Sequence, residues 1–198
     1  MKKIVLSLVL LLFTTMASAQ VTFGLKAGPM LSNVRTQDID TISFTKPNQR
    51  VSFVAGAFAT IGLSDKLTLQ PELLYANKGI GAFDRRFDRP EGFHYLNLPV
   101  MLQYNLWRGL NLGAGPELGI LLNRDLSLVN DFDLGLNLGA SYALTDRWVI
   151  NIRYNRGLID ISNAQVITAI DPVTTEFTRV DTESTNRSWQ LTVGYLFR

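Results

Sequence analysis

Phe132-Asp-Leu-Gly-Leu-Asn-Leu-Gly-Ala-Ser-Tyr-Ala-Leu144 is the stretch on which the fold turns. Its even positions are Phe132, Leu134, Leu136, Leu138, Ala140, Tyr142 and Leu144; its odd positions are Asp133, Gly135, Asn137, Gly139, Ser141 and Ala143. Alternate side chains of a strand point to opposite faces, so a period of two sustained this long predicts a strand. The contrast between the faces predicts its surroundings. One face is large and apolar and the other small or polar, which suits a barrel whose leucine-rich side meets lipid. A tilted membrane strand needs about 9–11 residues, and this stretch suffices. A soluble lipocalin-type barrel would need the reverse, apolar inside and polar outside.

Working outward, seven more segments alternate in the same way. The first starts near Val21, with Phe23, Leu25 and Ala27 opposite Gly24, Lys26 and Gly28. Others cover Val51–Leu63, Leu67–Ala76, Tyr95–Leu106, Leu110–Leu122, Trp148–Asn155 and Trp189–Phe197. Three connections are tight: Ser64-Asp65-Lys66, Trp107-Arg108-Gly109 and Thr145-Asp146-Arg147. Between them lie long polar stretches, Ser32–Arg50, Asn77–Phe93, Asn123–Asp131 and Ile159–Ser188. Short turns at one end and long loops at the other predict an all-β, eight-stranded antiparallel up-and-down transmembrane β-barrel, turns periplasmic and loops extracellular. Within the last loop, Val166, Thr168 and Ile170, then Thr174, Glu176, Thr178 and Val180, alternate and are expected to extend the two flanking strands. Pro71, Pro99 and Pro116 fall inside predicted strands, where bulges, bends or a local waist are expected.

The start of the chain reads as a secretory signal peptide over residues 1–19. Lys2 and Lys3 precede the apolar run Ile4–Phe13, and Ala17-Ser18-Ala19 supplies a small-x-small cleavage site. Residues 20–198 are then the barrel domain. Cysteine is absent, which excludes disulfides, a cysteine-linked lipid anchor and thiolate metal sites. Without Lys2 and Lys3 the excess of two positive charges vanishes, so nothing favours nucleic acid as a partner.

The aromatic residues test the membrane reading independently. Phe23, Tyr104, Trp107, Tyr142, Trp148, Tyr195 and Phe197 fall at the turn ends of the outward face; Phe53, Tyr75, Phe132, Tyr154 and Trp189 fall at the loop ends. Two such girdles belong at the two headgroup levels. Phe132 and Tyr142 are separated by roughly 25 Å of height, at ~3.3 Å per residue and ~40° tilt, which matches the hydrocarbon band.

Six local blocks stand out: Gly24-Leu25-Lys26-Ala27-Gly28 with Asn33 following, Gln70-Pro71-Glu72-Leu73-Leu74-Tyr75, Tyr95-Leu96-Asn97-Leu98-Pro99 and Gly113-Ala114-Gly115-Pro116. Arg153-Tyr154-Asn155-Arg156-Gly157-Leu158 and Gly194-Tyr195-Leu196-Phe197 complete the set. Together they resemble the PorT-like family of outer-membrane β-barrel proteins. The resemblance implies an eight-stranded barrel in the outer membrane. It also implies that the closing aromatic strand is read by barrel-assembly machinery, although Arg198 follows Phe197.

Four inward charges form the main candidate constellation. Lys26, Glu72, Glu117 and Arg153 are the sixth, sixth, eighth and sixth residues of the first, third, fifth and seventh segments, and are expected at similar height as one salt-bridge network. An eight-stranded barrel is barely wide enough for side chains, and isolated buried charges cost several kcal/mol, so such groups must pair. A plugged lumen is therefore expected, with a narrow channel as the alternative. Catalysis has little footing: a lipid-modifying enzyme built around His94 would need a serine at matching depth, with Ser32 and Ser162 as candidates. Loop carboxylates Asp38, Asp40, Asp84, Asp88 and Asp171 could bind Ca²⁺ or bridge through it to lipopolysaccharide. The expectation is a monomer with no catalytic residues, no cofactor and no resident metal. Its partners are membrane lipid, lipopolysaccharide and an unidentified surface or periplasmic protein.

Overall fold

The computed structural model describes residues 21–36, 49–80, 91–122, 130–159, 165–170, 177–181 and 184–198. The signal-peptide residues, Ser162 and the carboxylates of Asp38, Asp40, Asp84, Asp88 and Asp171 lie outside them. The described residues form ten strands, in this order: β1 (Val21–Thr36), β2 (Arg50–Gly62), β3 (Leu67–Ile80), β4 (Glu91–Trp107), β5 (Leu110–Leu121), β6 (Phe132–Ala143), β7 (Trp148–Gly157), β8 (Gln165–Ile170), β9 (Phe177–Asp181) and β10 (Ser184–Phe197). Eight of them close a barrel in the order β1-β10-β7-β6-β5-β4-β3-β2, every pair antiparallel. The remaining two, β8 and β9, form a separate hairpin, so this segment does not extend the flanking barrel strands as expected.

The alternation decides which face goes where. Along β6, Leu134, Leu136 and Leu138 are exposed on the outside, while Asp133 and Asn137 are buried within. Leu25, Leu73, Leu102, Leu112, Ile152, Leu191 and Val193 continue the exposed apolar band around the wall. A soluble fold could not leave so continuous an apolar surface in water. In a bilayer the closed ladder also leaves no strand edge for lipid to meet.

At the short-turn end the chain reverses with local chemistry. Ser64 Oγ accepts from the backbone N–H of Leu67 at 3.1 Å, and Thr145 Oγ1 accepts from that of Trp148 at 3.0 Å. Between β4 and β5 only Arg108 and Gly109 turn the corner, with φ of 30° and 88°. Positive φ at both positions is what a two-residue hairpin needs to match strand twist.

Four strands rise further above the lipid band than expected: β1 continues to Thr36, β3 to Ile80, β4 begins at Glu91 and β10 at Ser184. The stretches Ser32–Arg50, Asn77–Phe93 and Ile159–Ser188 are therefore partly strand rather than loop. Above the lipid the outward face is polar as well, and the apolar period fades although pairing continues.

The prolines do not produce bulges. Around Pro71 the β2–β3 partners pass from Phe58↔Glu72 to Ile61↔Leu69, and around Pro116 the β4–β5 partners pass from Pro99↔Glu117 to Leu102↔Ala114. Each ladder drops pairs and resumes in the same register. A register shift in β4 occurs instead near the turn, between Asn105 and Trp107. Glycine accompanies the proline in Gly115-Pro116, where the adjoining strands crowd together. A Cβ on Gly115 would lie 1.9 Å from the carbonyl oxygen of Val100.

Candidate functional site

The interior charges divide into two clusters stacked along the barrel axis. In the lower one, Glu72 on β3 receives both Lys26 from β1 (Nζ–Oε2 2.6 Å) and Arg153 from β7. Arg153 donates through Nη1 to Oε2 at 2.9 Å and through Nη2 to Oε1 at 2.6 Å, the two-pronged geometry that suits a planar guanidinium. Gln70 donates to Glu72 at 2.6 Å, and Gln103 donates to Gln70 at 3.0 Å. These three charges come from strands that are not neighbours in the sheet, so the cluster braces the barrel across its bore.

Glu117 belongs elsewhere, contrary to the single four-residue network expected. Its Oε1 pairs with Lys78 Nζ at 3.0 Å, and the same ammonium pairs with Asp133 Oδ2 at 3.1 Å. Lys78 lies on β3 beyond Glu72, about 15 Å higher at ~3.3 Å per residue and ~40° tilt. Asn137 donates to Glu117 at 3.0 Å, Asn155 to Asn137 at 3.1 Å and Asn186 to Asp133 at 2.9 Å. Lys78 and Asp133 were missed as a pair because Lys78 falls in a stretch that reads as loop. Continuing the inward phase of Leu74 and Ala76 by one step would have placed it in the lumen.

All six charged groups are at most 5 % exposed, so each depends on its partners. An aromatic ring completes each cluster. Lys26 Nζ lies 5.6 Å from the ring centre of Phe58, and Lys78 Nζ lies 5.2 Å from that of Tyr95, both within cation–π range. Toward the turns from Arg153 lies a small cavity of about 10 Å³, room for about one water, lined by Gln103, Ser141, Asn151 and Arg153 among others.

The aromatic residues read as girdles lie on the outer face. At the turn end Phe23, Tyr104, Trp107, Tyr142, Trp148 and Phe197 are exposed, and the Tyr195 ring packs 5.0 Å from Trp148 and 5.5 Å from Phe197. At the loop end Phe53, Phe132 and Trp189 are exposed, with Tyr75 5.6 Å from Phe53 and Tyr154 4.9 Å from Trp189.

His94 sits inside β4 rather than at a loop junction. It faces outward, its ring 5.8 Å from Tyr75 and its Nδ1 hydrogen-bonded to the Tyr75 hydroxyl. Ser32 is buried on the lumen face of β1, so the structure does not bring these two side chains together.

A closed antiparallel sheet with an apolar exterior, girdled ends and a charged interior defines a membrane-spanning β-barrel. Residues 16–163 match the outer membrane protein beta-barrel domain family, and the chain belongs to it. The protein is thus an outer-membrane barrel. Solved structures that resemble it include Neisserial surface protein A, at 12% identity over 88% of this chain and 97% of that one, with a TM-score of 0.48. Ail, the attachment invasion locus protein of Yersinia pestis, is similar at 13% identity over 89% and 98%, with a TM-score of 0.47. OprG from Pseudomonas aeruginosa is similar at 15% identity over 89% and 96%, with a TM-score of 0.46. A search of curated proteins found no match.

Proposed function

We propose that this protein is a monomeric, non-conducting barrel of the PorT-like type. It acts through contacts of its surface and loops in envelope integrity, adhesion, or as an accessory to secretion or uptake. The observation that carries the reading is the pair of buried ion clusters, Lys26–Glu72–Arg153 and Lys78–Glu117–Asp133, stacked in one narrow lumen. Each cluster joins strands across the bore, so an ion path would have to pull apart buried ion pairs. The C-terminal strand β10, closing on Tyr195 and Phe197, is the segment that barrel-assembly machinery would recognise.

In planar bilayers the purified full-length protein is expected to give no steady conductance. A large, steady, voltage-independent current would mean a wet channel and sink the plugged-lumen reading.

The protein is proposed to catalyse nothing. His94 contributes packing at the outer rim, through its ring contact and hydrogen bond with Tyr75. His94→Ala is expected to leave the lipid A and phospholipid profile of expressing cells unchanged by mass spectrometry. Any lipid product that disappears with His94 would establish a barrel enzyme instead.

A further inference from the structure

We propose that Arg156 and Arg187 form a binding site for a phosphate group of the glycolipid in the outer leaflet, lipid A. The two are direct cross-strand partners, Arg187 on β10 opposite Arg156 on β7. Both stand on the outward face, in phase with Trp189 and Tyr154 rather than with the buried Ser188 and Asn155. Side chains directly opposite across a sheet lie about 5 Å apart, and like charges there repel. Nothing in the described structure relieves that repulsion. Neither arginine has an ion-pair partner among the described residues, and Arg187 Nε is shielded from solvent without a hydrogen-bond acceptor.

The position points to the ligand. The register sets Leu31, Trp189, Tyr154 and Leu138 in one outward row, and Asn33, Arg187, Arg156 and Leu136 in the next row toward the loops. The step between rows is about 5 Å of height at ~3.3 Å per residue and ~40° tilt. Trp189 and Tyr154 pack at 4.9 Å and belong to the girdle at headgroup level, so the arginines stand where the lipid phosphates begin. Guanidinium forks match phosphate oxygens in pairs, and two adjacent forks can share one phosphate. Asn33, beside Arg187, offers a further amide donor. The exposed Trp189, Leu191 and Ile152 below give the acyl chains an apolar wall. In an outer membrane, the leaflet facing the long loops carries phosphorylated lipid A, which supplies both parts.

This site deepens the reading of a barrel that works through its surface, and its test does not depend on conductance. The full-length protein in nanodiscs would be titrated with bisphosphorylated lipid A, with the same glycolipid enzymatically dephosphorylated, and with phosphatidylglycerol. The expected result is binding of lipid A at least about tenfold tighter than either comparison lipid, reduced about tenfold or more in Arg156→Gln/Arg187→Gln. Arg147→Gln, an exposed arginine at the turn end, should bind as the unaltered protein does. Equal affinity for phosphorylated and dephosphorylated glycolipid would overturn the proposal without reference to any variant. So would full binding by the double variant, or phosphatidylglycerol binding that matches lipid A.

Discussion

Glu72→Ala is expected to destabilise the barrel by about 3–5 kcal/mol, the usual cost of removing one partner from a buried ion pair. The loss is at the high end because two cations, Lys26 and Arg153, lose the same carboxylate and are left facing each other. Removing Lys26 together with Glu72 should cost less than the sum of the single changes, since the second change discards a charge already stranded by the first. Urea unfolding of the four proteins in liposomes, followed by tryptophan fluorescence and by mobility of unheated samples on gels, measures the cycle. Additive effects below about 1 kcal/mol would show that the lower cluster is well hydrated and contributes little.

Gly115→Ala is the second large effect, and it comes from backbone rather than charge. The added methyl would lie 1.9 Å from the Val100 carbonyl oxygen, in the wall between β4 and β5. No rotamer relieves that clash, because the obstacle is the neighbouring strand itself. The two strands would have to separate where Pro116 already interrupts pairing, at a cost of about 3 kcal/mol or more, the top of the range for overpacking. Gly62→Ala is the control: nothing lies within 4 Å of its added carbon, so a change within about 0.5 kcal/mol is expected. The same unfolding assay compares them, and equal midpoints for the two variants would contradict the close approach.

What the sequence revealed follows the lipid boundary. Between the girdles, lipid demands large apolar residues on one face and the narrow bore tolerates only small or polar ones on the other. The period of two is therefore strong from Phe132 to Leu144, and the strands there could be read directly. Lys26, Glu72 and Arg153 were legible as partners because they lie in that zone, each the sixth residue from the lower end of its strand. Glu117 was not, because its partner Lys78 stands on a part of β3 above the lipid, where both faces are polar. The prolines misled for a different reason. A missing backbone donor is visible in sequence, but whether the ladder shifts register or merely skips is decided by the neighbouring strands. The hairpin of β8 and β9 alternates like a barrel strand, and only its pairing shows that it is separate.

The seam between β1 and β10 has a consequence for the order of assembly. Every other contact in the wall joins strands adjacent along the chain, or separated only by the β8–β9 hairpin, and can form as each hairpin is made. The seam joins residues as distant as Lys26 and Gly194, so it cannot zip until both ends of the sheet are present. Until then two rows of backbone amides and carbonyls face lipid, where unpaired groups are costly. Closure is thereby the late, all-or-none event of folding. Glu72, which reaches from β3 to Lys26 on β1 and to Arg153 on β7, holds the two strands that flank β10 at the spacing the last strand must fill.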